Sequence, residues 1–236
     1  MKLLPSILLV FWISCSVYAT DLPERIDIDY TLSGVIGQGK ARETLLQQNK
    51  NGAQHYTIDS EIKASGFLKL FKRGSISRHS EGIITPDKGM QSLYFSDQRS
   101  EKPARTVQFD WDNKQLVYHR KGREIIDKLT PGTLDELSLV YHFAFTDPPK
   151  QAITIHETDY RVQHTGHYIV SHETLDTPLG KLDTIVLTKQ QEPDDTFKKK
   201  IWLSPEHFML PVRIISTEKD GMEIDQMVRK ITYTAR

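Results

Sequence analysis

Ile26-Asp27-Ile28-Asp29-Tyr30-Thr31-Leu32-Ser33 decides the fold of this chain. Ile26, Ile28, Tyr30 and Leu32 alternate with polar residues, the period of two that a strand with one buried face requires. Similar segments follow at Tyr56 to Ile62, Gly74 to Ile84, Gln91 to Phe95, Thr106 to Trp111 and Leu116 to His119. They continue at Tyr168 to Thr174, Asp183 to Thr188, Lys199 to Leu203, Val212 to Thr217 and Glu223 to Tyr233. About a dozen short strands separated by turn signals predict a mainly β, antiparallel fold, a strongly curved sheet or open barrel.

The turns carry their own chemistry. Asp220-Gly221 lies between Ile214 to Thr217 and Met222 to Ile224, and Asp112-Asn113 lies between Phe109 to Trp111 and Leu116 to Tyr118. Both pairs tolerate the positive φ of a tight hairpin. In Thr177-Pro178-Leu179-Gly180 the proline pre-sets the first central turn residue and the glycine releases the chain into the next strand. Sequential hairpins make sequence neighbours antiparallel partners.

One segment breaks the rhythm. After Pro131-Gly132, the stretch Thr133-Leu134-Asp135-Glu136 matches a capping box, with the Thr133 hydroxyl and Glu136 carboxylate serving reciprocal backbone donors. Leu134, Leu137, Val140, Tyr141, Ala144 and Phe145 fall at spacings of three and four until Asp147-Pro148-Pro149 stops the element. This predicts one amphipathic helix from Thr133 to Phe145, packed on the concave side of the sheet. A shorter interruption, Gly66-Phe67-Leu68-Lys69-Leu70-Phe71-Lys72-Arg73, has two readings: a lip that dips into lipid or grips a hydrophobic ligand, or a corner that packs Phe67 and Phe71 into the core.

Catalytic signatures are missing from the sequence. It has no Gly-x-Ser-x-Gly elbow, glycine-rich phosphate loop or His-Glu-x-x-His motif. His164 and His167 straddle an expected turn with His172 nearby, but His167 and His172 point to opposite faces of a strand, and zinc needs three or four convergent ligands. Asp194-Asp195 belongs to a charged turn and Asp135-Glu136 to a helix start, so neither pair requires an acid–base role. Lys198 to Lys200, the one dense basic run, reads as the solvated end of a hairpin. The expectation is a protein that is not an enzyme, with no cofactor and no metal.

Residues 1–19 have the form of an export signal: Lys2, an apolar run from Leu3 to Ile13 too short to span a bilayer, and Val17-Tyr18-Ala19 before a cut after Ala19. Cys15, the only cysteine, falls inside this segment, so the mature chain, residues 20–236, has no thiol. A second reading makes Cys15, preceded by Ser14, the lipidated first residue of an anchored lipoprotein. Removal of residues 1–19 takes away only Lys2, leaving 30 basic and 31 acidic residues and a net charge of −1. Such a chain has no basic field for nucleic acid, and no later stretch is apolar enough to span a membrane. The expectation is an exported, periplasmic protein with one β domain over residues 20–236.

Four blocks then carry a resemblance. They are Ser65-Gly66-Phe67 with the strand up to Gly82; Pro131-Gly132-Thr133-Leu134-Asp135-Glu136-Leu137-Ser138-Leu139-Val140-Tyr141; and Glu173-Thr174-Leu175-Asp176-Thr177-Pro178-Leu179-Gly180. The fourth joins Ile201-Trp202-Leu203-Ser204-Pro205 to Leu210-Pro211-Val212-Arg213 and Glu218-Lys219-Asp220-Gly221. Together they resemble the bacterial domain-of-unknown-function family 3108, secreted envelope proteins, across nearly all of the mature chain. The resemblance implies a periplasmic or envelope-associated β protein with no catalytic residues to carry over. By looser analogy the fold is similar to the open barrels of lipoprotein carriers.

Two functions stand on this reading. In the first, a non-enzymatic envelope protein binds a hydrophobic or lipid-like ligand in its curved sheet through Phe67, Leu70, Phe71, Leu137, Tyr141 and Phe145. In the second, it is a structural or interaction module that pairs with another envelope protein. A hydrolase is the third and least supported.

Overall fold

The computed structural model describes residues 22–34, 37–65, 75–191, 197–217 and 221–234. The strands of the first half are β1 (Arg25–Gly34), β2 (Gly37–Lys50), β3 (Ala53–Ser65), β4 (Ile76–Thr85), β5 (Gly89–Arg99), β6 (Arg105–Asp110), β7 (Gln115–Arg120) and β8 (Arg123–Lys128). Those of the second half are β9 (Leu134–Asp135), β10 (Ile153–Thr158), β11 (Gln163–Thr177), β12 (Gly180–Lys189), β13 (Lys199–Ser204), β14 (Leu210–Thr217) and β15 (Glu223–Thr234). All fifteen form one open sheet in the order β8-β7-β6-β5-β4-β3-β2-β1-β15-β14-β13-β12-β11-β10-β9. Every pairing is antiparallel except β9 with β10.

The opening alternation holds: Ile26, Ile28 and Tyr30 are buried on β1 between neighbours that are not. A bulge between Asp29 and Tyr30 in the pairing with β15 re-registers the strand. A second bulge, between Glu81 and Gly82 on β4, depends on glycine. A Cβ there would stand 2.1 Å from the Gln91 carbonyl oxygen and 2.8 Å from the Tyr56 ring.

Among the described residues, fifteen strands replace the expected dozen. The additions are β2, β8, β9 and β10, and each lacks a clean apolar face. On β2 the buried positions include Glu43 and Gln47, on β10 they include Glu157 and Thr158, and β8 is exposed along all six residues. Two expected turns differ in detail. After β6 it is Lys114, not Asp112 or Asn113, that takes positive φ (56°), while the Asp110 carboxylate accepts the Asn113 backbone N–H. His164 and His167 lie within β11 rather than across a turn.

The helix is also shorter than its apolar spacing predicts. Leu134 and Asp135 pair with β10 as a strand; the α-helix α1 spans Ser138–His142, and Phe143–Phe145 forms a 3-10 turn. The capping box does not form. The Thr133 hydroxyl bonds to the Thr130 carbonyl and to Gln163 Oε1, and the Glu136 carboxylate faces Arg78 at 3.5 Å. Tertiary partners outcompete the local cap. The same holds for the lysine run, where Lys199 is buried against Glu157 and only Lys198 of the three is exposed. Lys200 Nζ lies 4.3 Å from the centre of the Trp202 ring and 3.3 Å from Glu173.

Candidate functional site

The chemistry of the interior begins with acids placed where a strand would ordinarily bury apolar groups. Asp135, on β9, is fully buried. Its Oδ1 accepts the backbone N–H groups of Leu137 (3.0 Å) and Ser138 (2.8 Å), which caps α1. Its Oδ2 accepts the hydroxyls of Ser80 on β4, Ser92 on β5 and Ser138, each at 2.7 Å. Tyr56 donates to Ser92 Oγ at 3.3 Å, and burial first, then the Asp135 charge, pushes the Tyr56 phenol well above its ordinary range. One carboxylate thus ties the start of the helix to two strands.

Glu43 does the same for the helix body. It is buried on β2 and accepts Tyr141 Oη (2.5 Å), Ser60 Oγ (3.2 Å) and Gln226 Nε2 (3.3 Å). Burial raises the Glu43 pKa, and these three hydrogen bonds oppose the rise without cancelling it. The Tyr141 phenol is pushed well above its usual value by burial and then by the Glu43 charge. His142, next along α1, is driven the other way: burial lowers its pKa to about 4.

Two further acids are neutralised by cations. Asp97 on β5 is fully buried and hydrogen-bonded to Arg105, with Arg78 Nε at 3.3 Å and Arg99 Nε at 3.5 Å. Arg105 in turn lies 3.5 Å above the Tyr160 ring. Glu157 on β10 pairs with Lys199 on β13 and accepts Tyr168 Oη at 3.2 Å. All four acids have their acceptor oxygens engaged by groups of the protein itself, so the arrangement's chemistry is one of fixing elements together.

Of the residues expected to line a ligand site, Leu137 and Tyr141 are buried in the core, and Phe145 is half-buried against it. Phe67, Leu70 and Phe71 lie outside the described residues. Glu43, Asp97 and Glu157 are the residues that sequence reasoning passes over. Their signal is an acid on the apolar parity of a strand, as in Ala41-x-Glu43-x-Leu45 and Ile155-x-Glu157. His164, His167 and His172 are all exposed, and among the described residues no group of three or more His, Cys, Asp or Glu side chains is placed to hold a metal. His172 instead borders a shallow groove of about 410 Å³ with Glu173, Asp183 and Pro205.

Among the described residues, one open, mostly antiparallel sheet with a single short α-helix defines the class of protein. Residues 25–227 match the profile of DUF3108, described as a protein of unknown function, and the chain belongs to that family. Its fold is similar to that of a β-barrel-like protein of the DUF1849 family from Brucella abortus, with a TM-score of 0.56 at 9% identity over 90% of this chain and 98% of the other. A DUF1329 protein from Desulfovibrio piger aligns over 90% of this chain and 87% of its own at 8% identity, with a TM-score of 0.27. No curated protein matches the chain.

Proposed function

We propose that this is an exported, non-enzymatic protein of the bacterial envelope that works through its exterior, on a sheet curled around α1. The curl is supported by the connection between its edges. Fifteen strands at about 4.8 Å spacing would set the edges of a flat sheet ~67 Å apart. Residues 129–133 join β8 to β9 and can span only ~20 Å. Hydrogen bonds between distant strands agree, with Tyr118 on β7 bonded to Thr158 on β10 at 2.8 Å.

The observation that carries the functional reading is the bond from Tyr141 to Glu43. The space beneath the helix, where a ligand was expected, holds the protein's own buried side chains, and Asp135 latches the helix start. A lid that must open for a lipid tail would have to break both sets of buried bonds. Export is supported by the form of residues 1–19, with cleavage after Ala19 as the first reading and lipidation at Cys15 as the second.

Crosslinking in intact cells, followed by identification of what is attached, tests this. A reproducible protein contact supports the reading; turnover in a broad hydrolase panel overturns it. A second reading, a hydrophobic or lipid-like ligand, draws on the half-exposed Ala144 and Phe145 in the 3-10 turn that follows α1. Native mass spectrometry of periplasmic protein with lipid extraction decides it, since a stoichiometric co-purified lipid would displace the first reading.

A further inference from the structure

We propose that β8 is a self-complementary edge through which two copies of this chain join their sheets about a two-fold axis. It rests on the reading that the protein acts through its exterior, and it names the partner. The strand Arg123-Glu124-Ile125-Ile126-Asp127-Lys128 ends the sheet, and it exposes Ile125 and, more strongly, Ile126, which is 56% exposed.

The hairpin to β7 settles which backbone groups are free. Lys121 (φ 51°) and Gly122 (φ 70°) form its two-residue turn, so Arg120 and Arg123 are a hydrogen-bonded pair. By alternation, Arg123, Ile125 and Asp127 turn their N–H and C=O groups toward β7, while Glu124, Ile126 and Lys128 turn theirs outward. Two observations agree. The Leu129 N–H reaches back to the Lys114 carbonyl, and among the described residues the Lys128 N–H is met only by the side chain of its neighbour Asp127, at 2.7 Å.

A second β8, antiparallel, must match outward residues to outward residues. Full overlap, Arg123 opposite Lys128 and Glu124 opposite Asp127, fails this parity and sets like charges face to face. The register that places Ile126 opposite Ile126 satisfies it. Glu124 then faces Lys128 twice, and three residue pairs exchange backbone hydrogen bonds around an isoleucine contact flanked by two ion pairs. One Glu124 oxygen is held by His119 at 3.0 Å, and among the described residues the other has no side-chain partner and is open to the incoming lysine. Shifting the register to place Ile125 opposite Ile125 keeps an Arg123–Asp127 pairing but sets Glu124 against Ile126 and leaves only two hydrogen-bonded pairs.

Sedimentation velocity over a rising concentration series of the exported protein tests the proposal, with a dimer expected to appear as concentration rises. Ile126→Pro should abolish it with an unchanged circular dichroism spectrum, because the lost N–H faces outward. Glu124→Lys should weaken association at least about tenfold by opposing lysines, and Glu124→Lys combined with Lys128→Glu should restore it. A chain that stays monomeric at every concentration overturns the proposal, as does a dimer indifferent to these changes. If a crosslinker placed at position 126 in cells captures only a different protein, self-pairing is refuted while action through the exterior stands.

Discussion

Replacing Lys199 by methionine removes a charge but keeps most of the apolar stem, so it isolates what the ammonium does for Glu157. Both side chains are almost fully buried, with 7% and 6% of their surface accessible. Without Lys199, the Tyr168 hydroxyl is the one hydrogen-bond donor that the described residues leave to the Glu157 carboxylate. Breaking a buried pair from one side costs about 3–5 kcal/mol, because the remaining charge is desolvated without compensation. At about 2–4 °C per kcal/mol for a chain of this size, Tm should fall by ~6–20 °C. Glu157→Leu alone should be similarly damaging. The two together leave no uncompensated charge and should lie within about 1–2 kcal/mol of the parent. Urea titrations followed by tryptophan fluorescence, read as a double-mutant cycle, measure the coupling. A Lys199→Met variant losing less than about 1 kcal/mol, or a double variant losing the sum of both singles, would refute the burial argument.

Tyr141→Phe withdraws one of the three neutral donors to Glu43 and should cost about 1–3 kcal/mol by denaturant titration. Because the folded Glu43 pKa is raised, its contribution to stability falls as pH rises through and above the ordinary carboxylate range. Glu43→Gln should therefore compare better with the parent at neutral than at acid pH. His142 acts with the opposite sign. The unfolded chain takes up a proton near 6.5 and the folded chain only near 4, so stability worth about 2–3 kcal/mol is lost as pH falls across that window. His142→Gln should flatten that part of the stability–pH curve. Gly82→Ala, whose Cβ would strike the Gln91 carbonyl oxygen, should destabilise by about 1–3 kcal/mol or more on chemical unfolding.

What could be read from the chain follows the chemistry of its faces. Strands such as β1 and β7, which bury Ile26, Ile28 and Tyr30 or Leu116 and Tyr118, announce themselves by alternation. β2 hides because Glu43 and Gln47 occupy inward positions, and β8 because it has no inward face at all. The helix is legible as an element, but its boundaries are not. The capping signature is a four-residue pattern, whereas the actual cap, Asp135, is held by serines 43 and 55 residues away in the chain. The buried acids are illegible for the same reason: their partners, Lys199 for Glu157 and Tyr141 for Glu43, come from distant strands or the helix. Family membership required no such geometry, since the four sequence blocks lie along the chain in order.

The sheet order has a consequence for how the protein is made. β1 and β15 are neighbours at its middle, with Arg25 opposite Thr234, so β1 waits for β15 before its second side is covered. Apart from the parallel β9–β10 pair, each half can assemble as local hairpins while the chain emerges, but the seam between the halves closes only after a loop of roughly two hundred residues has been drawn together. Linking the two ends and reopening the chain between β8 and β9 would turn that late, long-range step into one more hairpin, leaving every strand pairing in place.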